Sequence, residues 1–268
     1  MDPIEIYYFS ATGNSLAVAR DMAQRLKAGL TPATRTMDRE SIHSTAGAIG
    51  FVFPIYDFKP PPIMDDLVRK IEQLDSKYLF AVCTYGIAPA RSLRQFDKVI
   101  RSCGGHLSAG FSVGMPHNGI GSGAVTPAQQ ETMFKDWQDR VDEVCTAIAG
   151  RENGRIESSH LLFDLFEPRI VRMLPSALKL VKQAVFKGIT SLGFTPTQAC
   201  NSCGICARIC PVDNIEIVDG KPVWSDHCAG CFACLNWCPQ EAITLGGLNM
   251  NIKPYHHPEV KISDLMKK

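Results

Sequence analysis

No stretch of 18 apolar residues occurs anywhere in the 268-residue chain, so no transmembrane helix is expected. Charge of one sign is also missing. The formal net charge is only +1, which gives no reason to expect nucleic acid or an anionic membrane as an obligate partner. The N-terminus, Met1-Asp2-Pro3-Ile4-Glu5, lacks a charged-then-apolar leader and runs straight into a strand-like segment, so a cytoplasmic location is expected. Aromatic residues make up just 8%, but with 45% hydrophobic residues the chain can still bury the core of one or two domains.

Cysteine is what the chain has in excess. Eight of its 11 cysteines fall into two copies of one spacing. The first copy is Cys200-x2-Cys203-x2-Cys206-x3-Cys210-Pro211, and the second is Cys228-x2-Cys231-x2-Cys234-x3-Cys238-Pro239. This is the bacterial two-cluster ferredoxin arrangement, in which each run gives three thiolates to one iron–sulfur cluster and the fourth to the other. One expected cluster therefore takes Cys200, Cys203, Cys206 and Cys238; the other takes Cys228, Cys231, Cys234 and Cys210. A disulfide framework fits poorly, because small secreted domains do not repeat this spacing and thiolate ligands need a reducing compartment. Cys83, Cys103 and Cys145 have no partner motif and read as buried thiols.

The two runs are an internal repeat with an offset of 28 residues. Ile215 matches Ile243 and Ile217 matches Leu245, so a short apolar strand is expected after each Pro. Ahead of them, residues 1–150 alternate between strand-like and helix-like segments. Strands are expected at 4–9, 48–53, 79–84 and 110–115, and helices at 15–27, 63–74, 92–101 and 127–149. That alternation implies a doubly wound parallel sheet. The expected domains are thus 1–150, a linker at 151–193, 194–247, and a tail at 248–268. Their net charges are −1, +3, −3 and +2.

The loop after the first strand is Ser10-Ala11-Thr12-Gly13-Asn14-Ser15. It is rich in hydroxyls and has no Lys or Arg. Backbone N–H groups, hydroxyls and the positive end of the following helix can together wrap a phosphate. Gly13 permits close approach. The loop has neither the Gly-Lys-Ser/Thr of a Walker A loop nor GxGxxG, which argues against a nicotinamide dinucleotide here. The residues alone leave open an ordinary N-capped turn, with Asn14 or Ser15 as the cap.

Ser10-x-Thr12-Gly13-x-Ser15 resembles the phosphate loop of the flavodoxin family, T/S-x-T-G-x-T/S. The resemblance extends to the ends of the next two strands, Pro54-Ile55-Tyr56-Asp57-Phe58 and Thr84-Tyr85-Gly86-Ile87-Ala88-Pro89. It implies FMN, with Ser10, Thr12, Gly13, Asn14 and Ser15 around the phosphate. It also implies Tyr56, or its rival Phe58, against the isoalloxazine, and Pro54, Thr84, Tyr85 and Gly86 along the ring edge. All lie at the carboxyl ends of parallel strands, where such sheets bind ligands. Core or loop packing is the competing reading of Tyr85 and Phe58. His117 in Met115-Pro116-His117-Asn118-Gly119 reads as a packing residue, and His256 and His257 show no ligand spacing.

As a whole the chain resembles the flavodoxin/ferredoxin fusion proteins of anaerobes, over about residues 1–150 and 194–247. The implied fold is an α/β flavodoxin-like domain followed by an α+β bacterial 2[4Fe–4S] ferredoxin-like domain. The implied role is electron transfer between two [4Fe–4S] clusters and FMN, with a small acceptor reduced at the flavin. The alternative is a carrier without its own substrate that docks onto a larger redox enzyme. Either way the expected partner is a redox protein or a small-molecule electron donor or acceptor. Residues 160–193 place Leu174, Leu178, Val181 and Val185 at helical spacing, broken by Pro168 and Pro175. Two short helices are expected there, packing on the domains rather than on a membrane.

Overall fold

The computed structural model describes residues 2–56, 59–117, 125–158, 193–246 and 254–266. The chain divides into two compact units. One comprises Met1–Ser158 with His256–Lys267, and the other comprises Ser159–Tyr255 with Lys268. The expected linker helices at 160–193 lie outside the described residues but for Gly193.

The first unit is built on a five-stranded parallel sheet. Its strands are β1 (Ile4–Tyr8), β2 (Gly29–Pro32), β3 (Ala48–Pro54), β4 (Tyr78–Tyr85) and β5 (Ala109–Gly114), in the order β2-β1-β3-β4-β5. That order is the flavodoxin-like one, with its ligand crevice at the β1/β3 switch point. Four helices cover the sheet: α1 (Asn14–Leu26), α2 (Pro62–Lys70), α3 (Ser92–Ser102) and α4 (Pro127–Ala149). The middle strands are apolar on both faces, as buried parallel strands must be. In β3 every residue from Ala48 to Phe53 is buried. Leu16, Ala19 and Met22 of α1 and Val141, Val144 and Ile148 of α4 close one face of the sheet.

The structure departs from the sequence-based expectation at three places. β2 was not foreseen, because Gly-Leu-Thr-Pro is too short to show a period and ends in Pro. It pairs in register with β1, Glu5 facing Gly29 through Tyr8 facing Pro32, and Leu30 packs against the core. The helix expected over 63–74 ends at Lys70, because Ile71 turns to extended backbone and bridges Ile42. The first unit also runs past residue 150. Residues 155–157 add a backbone rung to β5, with Gly110 donating to the Arg155 carbonyl and Glu157 donating to the Gly110 carbonyl. Glu157 then accepts from the Ser112 backbone and hydroxyl. Burial pushes the Glu157 carboxyl up, but hydrogen bonds from Arg140 and Ser112 outweigh that and leave it below the usual carboxylate range.

Part of the C-terminal tail belongs to this unit. Val260 is buried in the same core as Leu16 and Trp137, and Leu265 packs against it. Asp264 pairs with Arg20 of α1 at 3.1 Å.

The second unit pairs β6 (Phe194–Pro196) with β9 (Ile243–Leu245) and β7 (Ile215–Val218) with β8 (Lys221–Trp224), both antiparallel. The strands expected after the two prolines are β7 and β9. Two short helices, α5 (Ile205–Ile209) and α6 (Ala233–Asn236), start at equivalent places in the repeat. Among the described residues of both units, no helix is long and apolar enough to cross a membrane.

Candidate functional site

The loop that leaves β1 turns through Gly13 at φ 100°, a left-handed conformation that disfavours any side chain. Space forbids one as well. A Cβ on Gly13 would lie 2.9 Å from the Cβ atoms of both His257 and Val260. α1 starts at Asn14 without a side-chain cap, so the ordinary N-cap reading with Asn14 or Ser15 does not describe this helix end. The first N–H groups of a helix have no carbonyl one turn behind them, and the helix dipole adds positive potential there.

The side chains of this loop are not equally available. Ser10 Oγ accepts from the Gly13 backbone at 3.1 Å. Asn14 donates its amide to the Pro116 carbonyl at 2.7 Å, and the Ser15 hydroxyl pairs with the Thr84 hydroxyl at 2.8 Å, both buried. These bonds lock the loop to the ends of β4 and β5. Asn14 and Ser15 can therefore serve an anion through backbone N–H groups, with their side chains holding the loop in place. The Thr12 side chain makes no hydrogen bond to other described residues, which leaves its hydroxyl for a ligand.

The segments after β3 and β4 converge on the same sheet end. Pro54 lies in register with Thr84, and the Ile55 N–H donates to the Thr84 carbonyl at 3.1 Å. Tyr56 is half-buried, pairs backbone to backbone with Lys59, and meets Phe9 edge to face with centroids 6.3 Å apart. Phe58, its rival for the ring, lies outside the described residues. Gly86 presses on the strand-end segment after β5, since a Cβ there would sit 2.1 Å from His117 Cβ. The Tyr85 hydroxyl lies across β5, 3.6 Å from where a Cβ on Gly114 would be. Burial first, then Cys83, raises the Tyr85 phenol above its ordinary value. Burial also lowers the His117 imidazole. The thiols of Cys83 and Cys145 are buried and pushed up to about 12 by that burial, as expected of inert core cysteines. Cys103 differs: it is only half-buried, at the end of α3.

One residue at the loop escaped the sequence reading. His257 is 2% exposed and donates its backbone N–H to the Thr12 carbonyl at 2.8 Å. Its ring stands edge to face against Phe134 and Trp137 of α4, with centroids 5.1 and 6.3 Å away. Nothing in the local sequence Tyr255-His256-His257-Pro258 announces this, because the partners are more than 100 residues distant.

In the second unit, a cavity partly open to solvent is lined by Cys200, Cys203, Cys206 and Cys238 together with Gly204 and Pro239. These four come from both runs. Burial pushes the thiol of Cys231 up to about 12 and raises those of buried Cys206 and Cys234; Cys228, an exposed residue, is raised as well. For Cys231 and Cys234, neighbouring Cys210 and Cys228 add to the rise. Backbone N–H groups already point at sulfur. Asn214 donates to Cys210 at 3.2 Å, Ala242 to Cys238 at 3.3 Å and Gly230 to Cys228 at 3.4 Å. Among the described residues, one buried cluster of the unit holds Cys206, Cys210 and Cys234 beside Ile215, Leu235 and Ile243. No group of three or more His, Cys, Asp or Glu among the described residues is arranged to hold a single metal ion.

The chain matches no protein-family model and no curated protein. Among solved structures it is similar to an FMN-dependent NADH-azoreductase from Bacillus anthracis in complex with FMN. The identity is 11%, over 56% of this chain and 100% of that one, with a TM-score of 0.38. It is also similar to the two-electron reduced flavodoxin of Megasphaera elsdenii, at 19% identity over 43% and 90% of the two chains, with a TM-score of 0.30. A third is rubredoxin oxygen:oxidoreductase from Desulfovibrio gigas, at 15% identity over 56% and 37%, with a TM-score of 0.34.

Proposed function

We propose that this chain is an oxidoreductase that passes electrons between two [4Fe–4S] clusters in its second unit and an FMN in its first, and reduces a small acceptor at the flavin. The observation that carries the reading is the cavity shared by Cys200, Cys203, Cys206 and Cys238, three thiols from one run and the fourth from the other. A mononuclear site needs sulfurs converging within about 2.3 Å of one centre. Ligands to a cube of four irons are spread over its corners, and the four thiols lining one cavity would supply them. Cys228, Cys231, Cys234 and Cys210 would hold the second cluster. The donor chemistry fits too. Buried thiols lose their protons only to a strong cation, and N–H groups aimed at sulfur stabilise the thiolate that results.

FMN supplies one- or two-electron chemistry and the clusters single electrons; the chain supplies binding and orientation. Gly13, with the N–H groups of Asn14 and Ser15 and the Thr12 hydroxyl, would hold the phosphate. Tyr56 would pack on the ring, and Pro54, Thr84, Tyr85 and Gly86 would line its edge. The Ser15–Thr84 bond fixes the phosphate loop against the ring-edge loop before anything binds. Flavin released by denaturation should be FMN, because the loop offers a cradle for one phosphate; release of FAD would overturn this. Thr12→Ala removes one hydroxyl bond to a charged group. FMN affinity is therefore expected to fall about 10- to 100-fold by fluorescence titration of apoprotein. An unchanged affinity would take Thr12 out of the site.

A further inference from the structure

Residues 256–266 return to the first unit and lie on the phosphate loop. The contact is not incidental. His257 and Val260 fill the space that a side chain at residue 13 would take, so Gly13 is what allows the tail to close on the loop. His257 arrives with a defined tautomer. Its Nδ1 accepts from the Glu259 backbone N–H at 3.3 Å, so in the neutral ring the proton sits on Nε2. Nε2 is buried and has no hydrogen-bond partner among the described residues. A buried N–H donor without an acceptor is costly and calls for an explanation. Loop 10–15 has the matching deficiency, since it is shaped for an anion yet contains no Lys or Arg.

We propose that His257 is a ligand of the FMN phosphate, donating from Nε2 and completing from the C-terminal tail an anion site that the loop alone leaves without a side-chain cation. The proposal rests on the reading of loop 10–15 as a phosphate site. The surroundings allow the imidazole to change charge. Glu259 of the tail favours the protonated ring and His256 disfavours it. α4 sets Phe134 and Trp137 edge to face against the ring. Without ligand, burial holds the ring below its ordinary pKa and thus neutral. A phosphate at Nε2 would raise it again, so FMN binding should be accompanied by proton uptake at His257.

The test compares FMN with riboflavin, which has the same ring and no phosphate, on the full-length protein. Wild type should prefer FMN. His257→Phe keeps an aromatic ring between Phe134 and Trp137 but removes the donor. It should weaken FMN about 10-fold or more while leaving riboflavin affinity unchanged. A merely structural role would weaken both ligands together, and that result, or an intact preference for FMN, would overturn the proposal. If wild type itself does not prefer FMN, the phosphate-loop reading fails, which is a different outcome. Nitrogen-15 imidazole spectra of wild type provide a check independent of folding of the variant. The His257 Nε2 signal should move toward the protonated form with FMN and not with riboflavin. No movement with either would contradict direct contact.

Discussion

Replacing Cys238 by alanine is expected to destroy the cluster of the other cysteine run. Cys238 follows α6 in the second run, yet its side chain lines the cavity of Cys200, Cys203 and Cys206. Removing it leaves that cubane with three ligands, so iron should fall from about eight to about four per chain, with acid-labile sulfide falling in step. Paired variants identify which cluster is lost. If Cys203 and Cys238 serve one cluster, losing both costs no more than losing either, and Cys203→Ala/Cys238→Ala should keep about four iron. Cys203→Ala/Cys210→Ala strikes both clusters and should keep almost none. The opposite pattern would mean that each run binds its own cluster. Stability should follow iron, because Cys206, Cys210 and Cys234 sit inside a buried apolar cluster of the second unit. A unit this small gains folding energy from bound metal rather than from apolar burial.

Gly13→Ala is expected to be nearly as damaging in the first unit. Two costs combine: a left-handed backbone at φ 100°, and a new methyl 2.9 Å from the His257 and Val260 Cβ atoms. Strain of roughly 1 kcal/mol and overpacking of roughly 1–3 kcal/mol together predict a loss of about 2–4 kcal/mol. Gly104→Ala separates them. Gly104 has φ 89° but nothing within 4 Å of its would-be Cβ, so it carries the strain without the collision. Calorimetry of both variants should show Gly13→Ala melting well below Gly104→Ala. Equal melting temperatures would mean that the tail gives way freely and does not brace the loop.

The fold was legible wherever local pattern and long-range packing agree. The apolar runs of β3 and β4 and the stripe of α1 announce the parallel sheet, and a repeat of 28 residues announces two equivalent halves in the second unit. β2 was hidden because its four residues carry no period and depend on β1 for their hydrogen bonds. At the candidate site, the motif singles out loop 10–15 but not the division of labour within it. Asn14 and Ser15 look like ligands in sequence, and only folding shows their side chains committed to Pro116 and Thr84. His257 is silent in the sequence for the opposite reason. Its spacing means nothing locally, and what places it at the loop is a contact with Thr12, 245 residues earlier in the chain. Residues 155–157 were read as linker because a single added rung on β5 leaves no pattern of strand length.

On the proposed reading, the clusters and the flavin of one chain form one electron path. Rapid mixing tests it directly: the clusters of the anaerobic, intact protein are reduced, and flavin absorbance is followed across a dilution series. Transfer within one molecule gives a first-order rate that does not change with protein concentration, and that is the expected result. A rate that falls in proportion to dilution would mean that electrons pass between molecules, and would contradict the relay.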